Sequence, residues 1–286
     1  MTANPIARLM ATNPNLEVWW DSSPLVFPQW KQGMLAQADP ARRAALEREL
    51  DEFLNPNDLP HSLVRGCTTN PPLSLTAVQS DPTTWDAWVD DLVRAHPEMD
   101  QSQLFWTTYK EVVQRGARAF LPLFEASGCR YGWLSGQLDT RLAHDPERMI
   151  ADAAELHALA PNVMVKVPAT AAGIQVLQAI TAKGYATNVT TCFTVPQILA
   201  AAEAVMAGVA EARRNGVDLS RWRSVITMML GRLIEDPALA AQAQRRGIAL
   251  SWTDLHWFGI ATFRRAYRTL MDGGYLSKML VCSVRP

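Results

Sequence analysis

The stretch Val163-Met164-Val165-Lys166-Val167-Pro168-Ala169-Thr170 puts a single amine inside a short, β-branched run that a proline brings to a halt. Such a run reads as a strand buried on both faces, the kind found in parallel sheets. A lone lysine is ordinarily a solvated surface charge. Three apolar residues before Lys166 and Val167-Pro168 after it reverse that reading, because the amine then sits where a barrel strand points a side chain into an active site. An exposed lysine, with a pKa of about 10.4, is almost wholly protonated at neutral pH. Burial among apolar side chains favours the neutral amine and opens Schiff-base chemistry on a ketone.

Outward from this strand, short apolar runs alternate with longer amphipathic ones. Strands are predicted over residues 16–20, 63–67, 131–134, 163–167, 186–189, 225–228 and 278–283. Helices are predicted over 41–53, 82–94, 104–125, 146–159, 173–183, 195–215, 237–246 and 253–273, with Asp81-Pro82 and Asp145-Pro146 as N-terminal caps. Strand–helix alternation implies βα units and a parallel sheet covered on both faces. Seven units favour a TIM-type (β/α) barrel over a doubly wound sheet. No strand is followed by GxGxxG or GxxxxGK[ST], which counts against a nucleotide fold. No linker or low-complexity stretch interrupts the chain, so residues 1–286 read as one domain.

Composition narrows the class. The 286 residues are 48% hydrophobic and 19% charged, with a formal net charge of −1 and no basic run, so no nucleic-acid partner is expected. No uninterrupted apolar run reaches the ~18 residues of a membrane span. Residues 1–15 are broken by Pro5 and Pro14 and carry no apolar signal segment, which makes the expected location cytoplasmic. Cys67, Cys129, Cys192 and Cys282 lack CxxC spacing and read as free thiols. The five histidines form no HExxH cluster, so neither a metal nor another cofactor is expected.

In a barrel of this type chemistry gathers at the carboxyl ends of the strands. Those ends carry Asp21, Asn70, Gln137 with Asp139, Lys166, Asn188 with Thr190, Thr227, and Ser283 with Arg285. One amine, one or two carboxylates, amides and hydroxyls suit a polyhydroxylated carbonyl compound. Each has a plainer reading. Asp21 opens Asp-Ser-Ser-Pro, a turn signal, although it also ends a strand. Asn70-Pro71 is by itself an ordinary turn. Asp139 and Arg141 read as a structural ion pair rather than as substrate contacts. Asn188 and Thr190, two apart on one strand, share a face.

Taken together and in order, several segments resemble the motifs of the transaldolase family. They are Thr68-Thr69-Asn70-Pro71, Gln137-Leu138-Asp139-Thr140-Arg141-Leu142, Lys166-Val167-Pro168-Ala169-Thr170, Gly173-Ile174, Asn188-Val189-Thr190 and Gly231-Arg232. The run from Gly273-Gly274-Tyr275 to Cys282-Ser283-Val284-Arg285 is also similar to the family's last motif before its eighth strand. The resemblance implies a metal-free class I transferase of the pentose phosphate pathway acting on sugar phosphates. Lys166 would form the Schiff base, Asp21 would take the hydroxyl proton as the carbon–carbon bond breaks, and Thr190 would position a water. Asn70, Asn188 and Thr227 would hold substrate hydroxyls, while Arg232, Arg285 and Ser283 would bind the phosphate.

Three departures accompany the match. Gln137 stands where the family usually has glutamate, as it does in the related fructose 6-phosphate aldolase branch. Met229 replaces an aromatic residue, and Thr227 replaces a serine. Only seven strands are counted, with the family's eighth not found. Three readings of that stay open: an incomplete chain, an open edge covered by the N-terminal segment, a second copy or another partner, and a degenerate barrel without catalysis. A transferase, an aldolase on another carbonyl substrate and a non-catalytic barrel are the competing functions.

Overall fold

The computed structural model describes residues 4–283, and Arg285 therefore lies outside the described residues. The chain divides into two compact units, residues 1–137 with 156–163, and residues 138–155 with 164–286.

The first unit holds β1 (Val18–Trp20), β2 (Val64–Thr68) and β3 (Trp133–Gln137), parallel and paired in chain order. Helices fill the connections, and their starts are chemically marked. Asp81 caps helix Pro82–Ala95 through Thr84 N–H, and Asp100 with Gln103 forms a full capping box on helix Gln101–Ala119. The single helix predicted over 104–125 is instead two, Gln101–Ala119 and Leu121–Ala126. Pro122 explains the break, since it lacks an N–H and its ring clashes with the preceding turn. Helix Pro71–Ser80 corrects the expectation of a simple turn at Asn70-Pro71. Helices Pro5–Ala11 and Phe27–Gln37 were likewise absent from the sequence reading. The fully buried Asn162 cross-links this unit, its amide donating to Ala117 O at 2.7 Å and Gly132 O at 2.8 Å.

The second unit holds β4 (Val163–Pro168, from its second residue onward), β5 (Thr187–Cys192), β6 (Ser224–Met229) and β7 (Lys278–Cys282). These too are parallel and ordered as in the chain. A doubly wound sheet reverses its strand order at a switch point. Neither unit does, and the winding is that of a (β/α) barrel of the TIM type. All seven predicted strands are present among the described residues.

The core of the second unit lies between the strands and their helices. Val189, Cys192, Ile226, Met228 and Met279 pack against Ile198, Ala202, Val205 and Leu270. Helix Val195–Arg214 passes a membrane-span test of length and composition, but the face carrying Ile198, Val205 and Val209 is buried in this core. A buried ladder of hydroxyls, Thr187 to Ser224 at 3.0 Å and Ser224 to Ser277 at 2.9 Å, ties together the amino-terminal side of β5, β6 and the approach to β7.

Candidate active site

In the first unit, the predicted residues stand where their strands end. Asp21 directly follows β1 and is exposed, and its Oδ1 accepts a hydrogen bond from Thr68 Oγ1 at 2.8 Å. Thr68 ends β2 and is buried, so one short bond ties together two strand ends separated by 47 residues in sequence. Asn70 caps helix Pro71–Ser80, its Oδ1 accepting from Leu73 N–H at 2.9 Å. That bond uses the amide's oxygen and orients its NH2 group as a donor. Gln137 is the last residue of β3, and its backbone N–H donates to the buried Tyr109 hydroxyl at 2.6 Å. Cys67, fully buried beside this set, has its thiol pKa pushed well up by burial and further by the Asp21 charge. It stays a neutral thiol.

In the second unit, Lys166 lies on β4 and is only 7% exposed. Its Cα partner on β5 is Asn188, which is fully buried. Thr227 on β6 donates to Asn188 Oδ1 at 2.7 Å. Three successive strands thus contribute an amine, an amide and a hydroxyl to one neighbourhood. Thr227→Val should strand that amide oxygen and cost about 1–3 kcal/mol in urea unfolding, whereas Thr227→Ser should cost much less.

Thr190 follows two residues after Asn188 and is 7% exposed, but the strand is irregular there. Between Val189 and Cys192, β5 spends one residue more than β6 does between Ile226 and Met228. Thr191 absorbs this bulge with a left-handed φ of 57°, unusual for a β-branched residue. The slip has a consequence for facing. Without it Cys192 would share the side of Asn188, yet it packs with Val189 and Met228 in the helix-facing core. Burial, with a smaller contribution from Cys282, pushes the Cys192 thiol to about 12. Thr190 Oγ1 meets the Met229 sulfur at 4.0 Å, a weak contact.

Arg232 is exposed on the short helix Leu230–Ile234, which follows β6. Ser283 follows β7 with a left-handed φ of 56°. Gly231 joins them. A Cβ built there would lie 1.8 Å from the Ser283 carbonyl oxygen, so only glycine lets the two segments meet. Gly173 does the same one βα unit earlier, with Pro168 O at 1.8 Å from its imagined Cβ. Asp139 takes the ion-pair role expected of it. Arg141 grips both its oxygens, at 2.6 Å from Nη2 to Oδ2 and 3.1 Å from Nε to Oδ1, and its own N–H donates to Asp152.

Thr68 and Tyr109 were not assigned roles from sequence. Thr68 sits in the Thr68-Thr69-Asn70-Pro71 motif, where its position at a strand end was the available signal. Tyr109 lies on helix Gln101–Ala119 and gave none. Among the described residues no group of three or more His, Cys, Asp or Glu side chains is placed to hold a metal ion.

The profile of the Transaldolase/Fructose-6-phosphate aldolase family matches residues 38–285. A transaldolase of Mycolicibacterium smegmatis is 30% identical over 261 residues, covering 90% of this chain and 65% of that protein. A transaldolase of Mycobacterium tuberculosis is 32% identical over 211 residues, covering 73% and 55%. Transaldolase 1 of Streptomyces avermitilis is 34% identical over 175 residues, covering 60% and 46%. The chain thus spans about half to two thirds of the length of these relatives. The match runs through β2 to β7 and takes in all but one of the residues predicted for the site, Asp21 alone preceding it. On this sequence and this winding, the chain belongs to the transaldolase/fructose-6-phosphate aldolase family.

Proposed function

We propose that this chain transfers a three-carbon dihydroxyacetone unit from a ketose phosphate to an aldose phosphate through a Schiff base on Lys166. The observation that carries the reading is a lysine 7% exposed on a parallel strand, register-paired with the buried amide of Asn188. A buried amine without a chemical task is a cost to folding.

The steps follow from the residues. The Lys166 nitrogen adds to the ketone carbon C2, and loss of water gives the imine. Asp21 takes the proton of the C4 hydroxyl, the C3–C4 bond breaks, and an aldose phosphate leaves as its aldehyde. The electron pair of that bond moves into the imine, leaving an enamine on Lys166. The enamine adds to a second aldehyde by the reverse of these steps, and hydrolysis frees the new ketose. Asn188, fixed by Thr227, and Asn70 hold substrate hydroxyls. Thr190 positions the water exchanged during imine formation, with Gln137 as a second polar group that holds a water but takes no proton. Arg232, Ser283 and Arg285 bind the phosphate, for which a guanidinium offers a fork of donors. The reaction needs no metal, and we place it in the cytoplasm.

Gln137 supports a second reading, an aldolase that releases the three-carbon ketone to water instead of passing it to an aldehyde. One experiment addresses both. The protein is incubated with fructose 6-phosphate, reduced with borohydride and weighed intact beside Lys166→Ala. An adduct of three or six carbons that needs Lys166 is the expected result. Release of free dihydroxyacetone without an acceptor would select the aldolase. No adduct with any ketose of a panel, on folded protein, would overturn both and leave a non-catalytic barrel.

A further inference from the structure

We infer that Thr68 is a positioning residue for the proton-accepting carboxylate of Asp21. This inference rests on the function proposed above. The geometry is local to the first unit. Asp21 follows a strand of only three residues and is exposed, so its backbone alone does little to aim the side chain. The fixed point is Thr68, which is 7% exposed at the end of β2, with its backbone held in register with β3 at Ser135. Its hydroxyl donates to Asp21 Oδ1 at 2.8 Å.

A hydrogen bond to an ionised acceptor is stronger than a neutral one, and this one has two effects. It selects one rotamer of Asp21, and it stabilises the carboxylate as the anion that a proton acceptor must be before the carbon–carbon bond breaks. It also occupies Oδ1, so Oδ2 is left to face the substrate hydroxyl. The adjoining residue, Cys67, offers no competing charge, because burial holds its thiol in the neutral form. A threonine suits the place. Its methyl packs in the buried strand end while its hydroxyl reaches out to the exposed carboxylate, and β-branching restricts χ1.

The test uses Thr68→Val, which keeps the shape and removes the donor, with Thr68→Ser as the conservative variant. Each is made in the wild-type chain and in Asp21→Asn. After incubation with fructose 6-phosphate and borohydride reduction, the ratio of uncleaved six-carbon to cleaved three-carbon adduct on Lys166 reads the cleavage step apart from imine formation. Valine should raise that ratio about tenfold in the wild-type background, as expected for losing a hydrogen bond to a charged group. Serine should restore it, and valine should add nothing in Asp21→Asn. An unchanged ratio in Thr68→Val, or an equal rise in both backgrounds, would overturn the inference and leave the function standing. A wild-type chain that forms no adduct would instead remove the function and this role with it. Thermal midpoints of the same proteins read the bond without any reaction. The cycle should be non-additive, and additivity would mean that Thr68 and Asp21 are not coupled.

Discussion

Replacing Lys166 by methionine should abolish the borohydride-trapped adduct and lower turnover roughly 10⁶-fold, the loss seen when a covalent nucleophile is removed. The same change should leave the unfolding midpoint as high as in the wild type, or higher. Lys166 is 7% exposed on β4, between Val165 and Val167, both completely buried. A methionine of similar length fills that volume without bringing a polar head group into it, and buried polar groups are costly even when partnered. Structural and functional lysines part company here. A lysine kept to hold the strands together would take stability with it when removed. One kept for chemistry takes activity alone, and residues of that kind are often held at some expense to the fold. A drop of several kcal/mol in denaturant unfolding of Lys166→Met would therefore count against the catalytic assignment. The decisive pattern is lost adduct with retained stability.

The sequence disclosed this lysine's burial because its neighbours are apolar on both sides, and a strand buried on two faces is written as a continuous run. The same logic located all seven strands. Their carboxyl ends then named Asp21, Asn70, Asn188, Thr190 and Thr227, since chemistry in this winding is confined to one end of each strand. Three things were not legible, each for its own reason. The bond from Thr68 to Asp21 spans 47 residues, and nothing in either local pattern marks the partner. The bulge at Thr190 and Thr191 is a property of two strands together, visible only when β5 is counted against β6. The helix Pro71–Ser80 was hidden because Asn-Pro serves equally as a turn and as an N-cap followed by proline at the first helical position. That ambiguity was productive, since Asn70 caps the helix with its oxygen and still presents its NH2 group.

Gly231→Ala should be the most damaging methyl group that can be added to this chain near the proposed phosphate site. The new carbon would lie 1.8 Å from the Ser283 carbonyl oxygen and 2.9 Å from the Ser283 Cβ. Backbone cannot yield at that distance as a flexible side chain would, so either the helix Leu230–Ile234 or the turn after β7 must move. The expected destabilisation is about 2 kcal/mol, in the range of overpacked cores. Because Arg232 is the next residue and Ser283 the one displaced, KM for fructose 6-phosphate should rise about tenfold or more for a shift of an ångström. Reaction with unphosphorylated fructose or dihydroxyacetone should change far less. Gly33→Ala provides the contrast. Gly33 is exposed within helix Phe27–Gln37 with nothing within 4 Å of its imagined Cβ. There the added methyl meets only solvent and reduces the freedom of the unfolded chain, so the variant should gain about 0.5–1 kcal/mol. One substitution, made twice, thus has opposite signs, and the sign is set by what the missing Cβ would touch. Equal stability of the two variants would show that the Ser283 carbonyl does not approach Gly231. A Gly231→Ala protein with weakened stability but an unaltered preference for the phosphorylated sugar would remove Arg232 and Ser283 from phosphate binding.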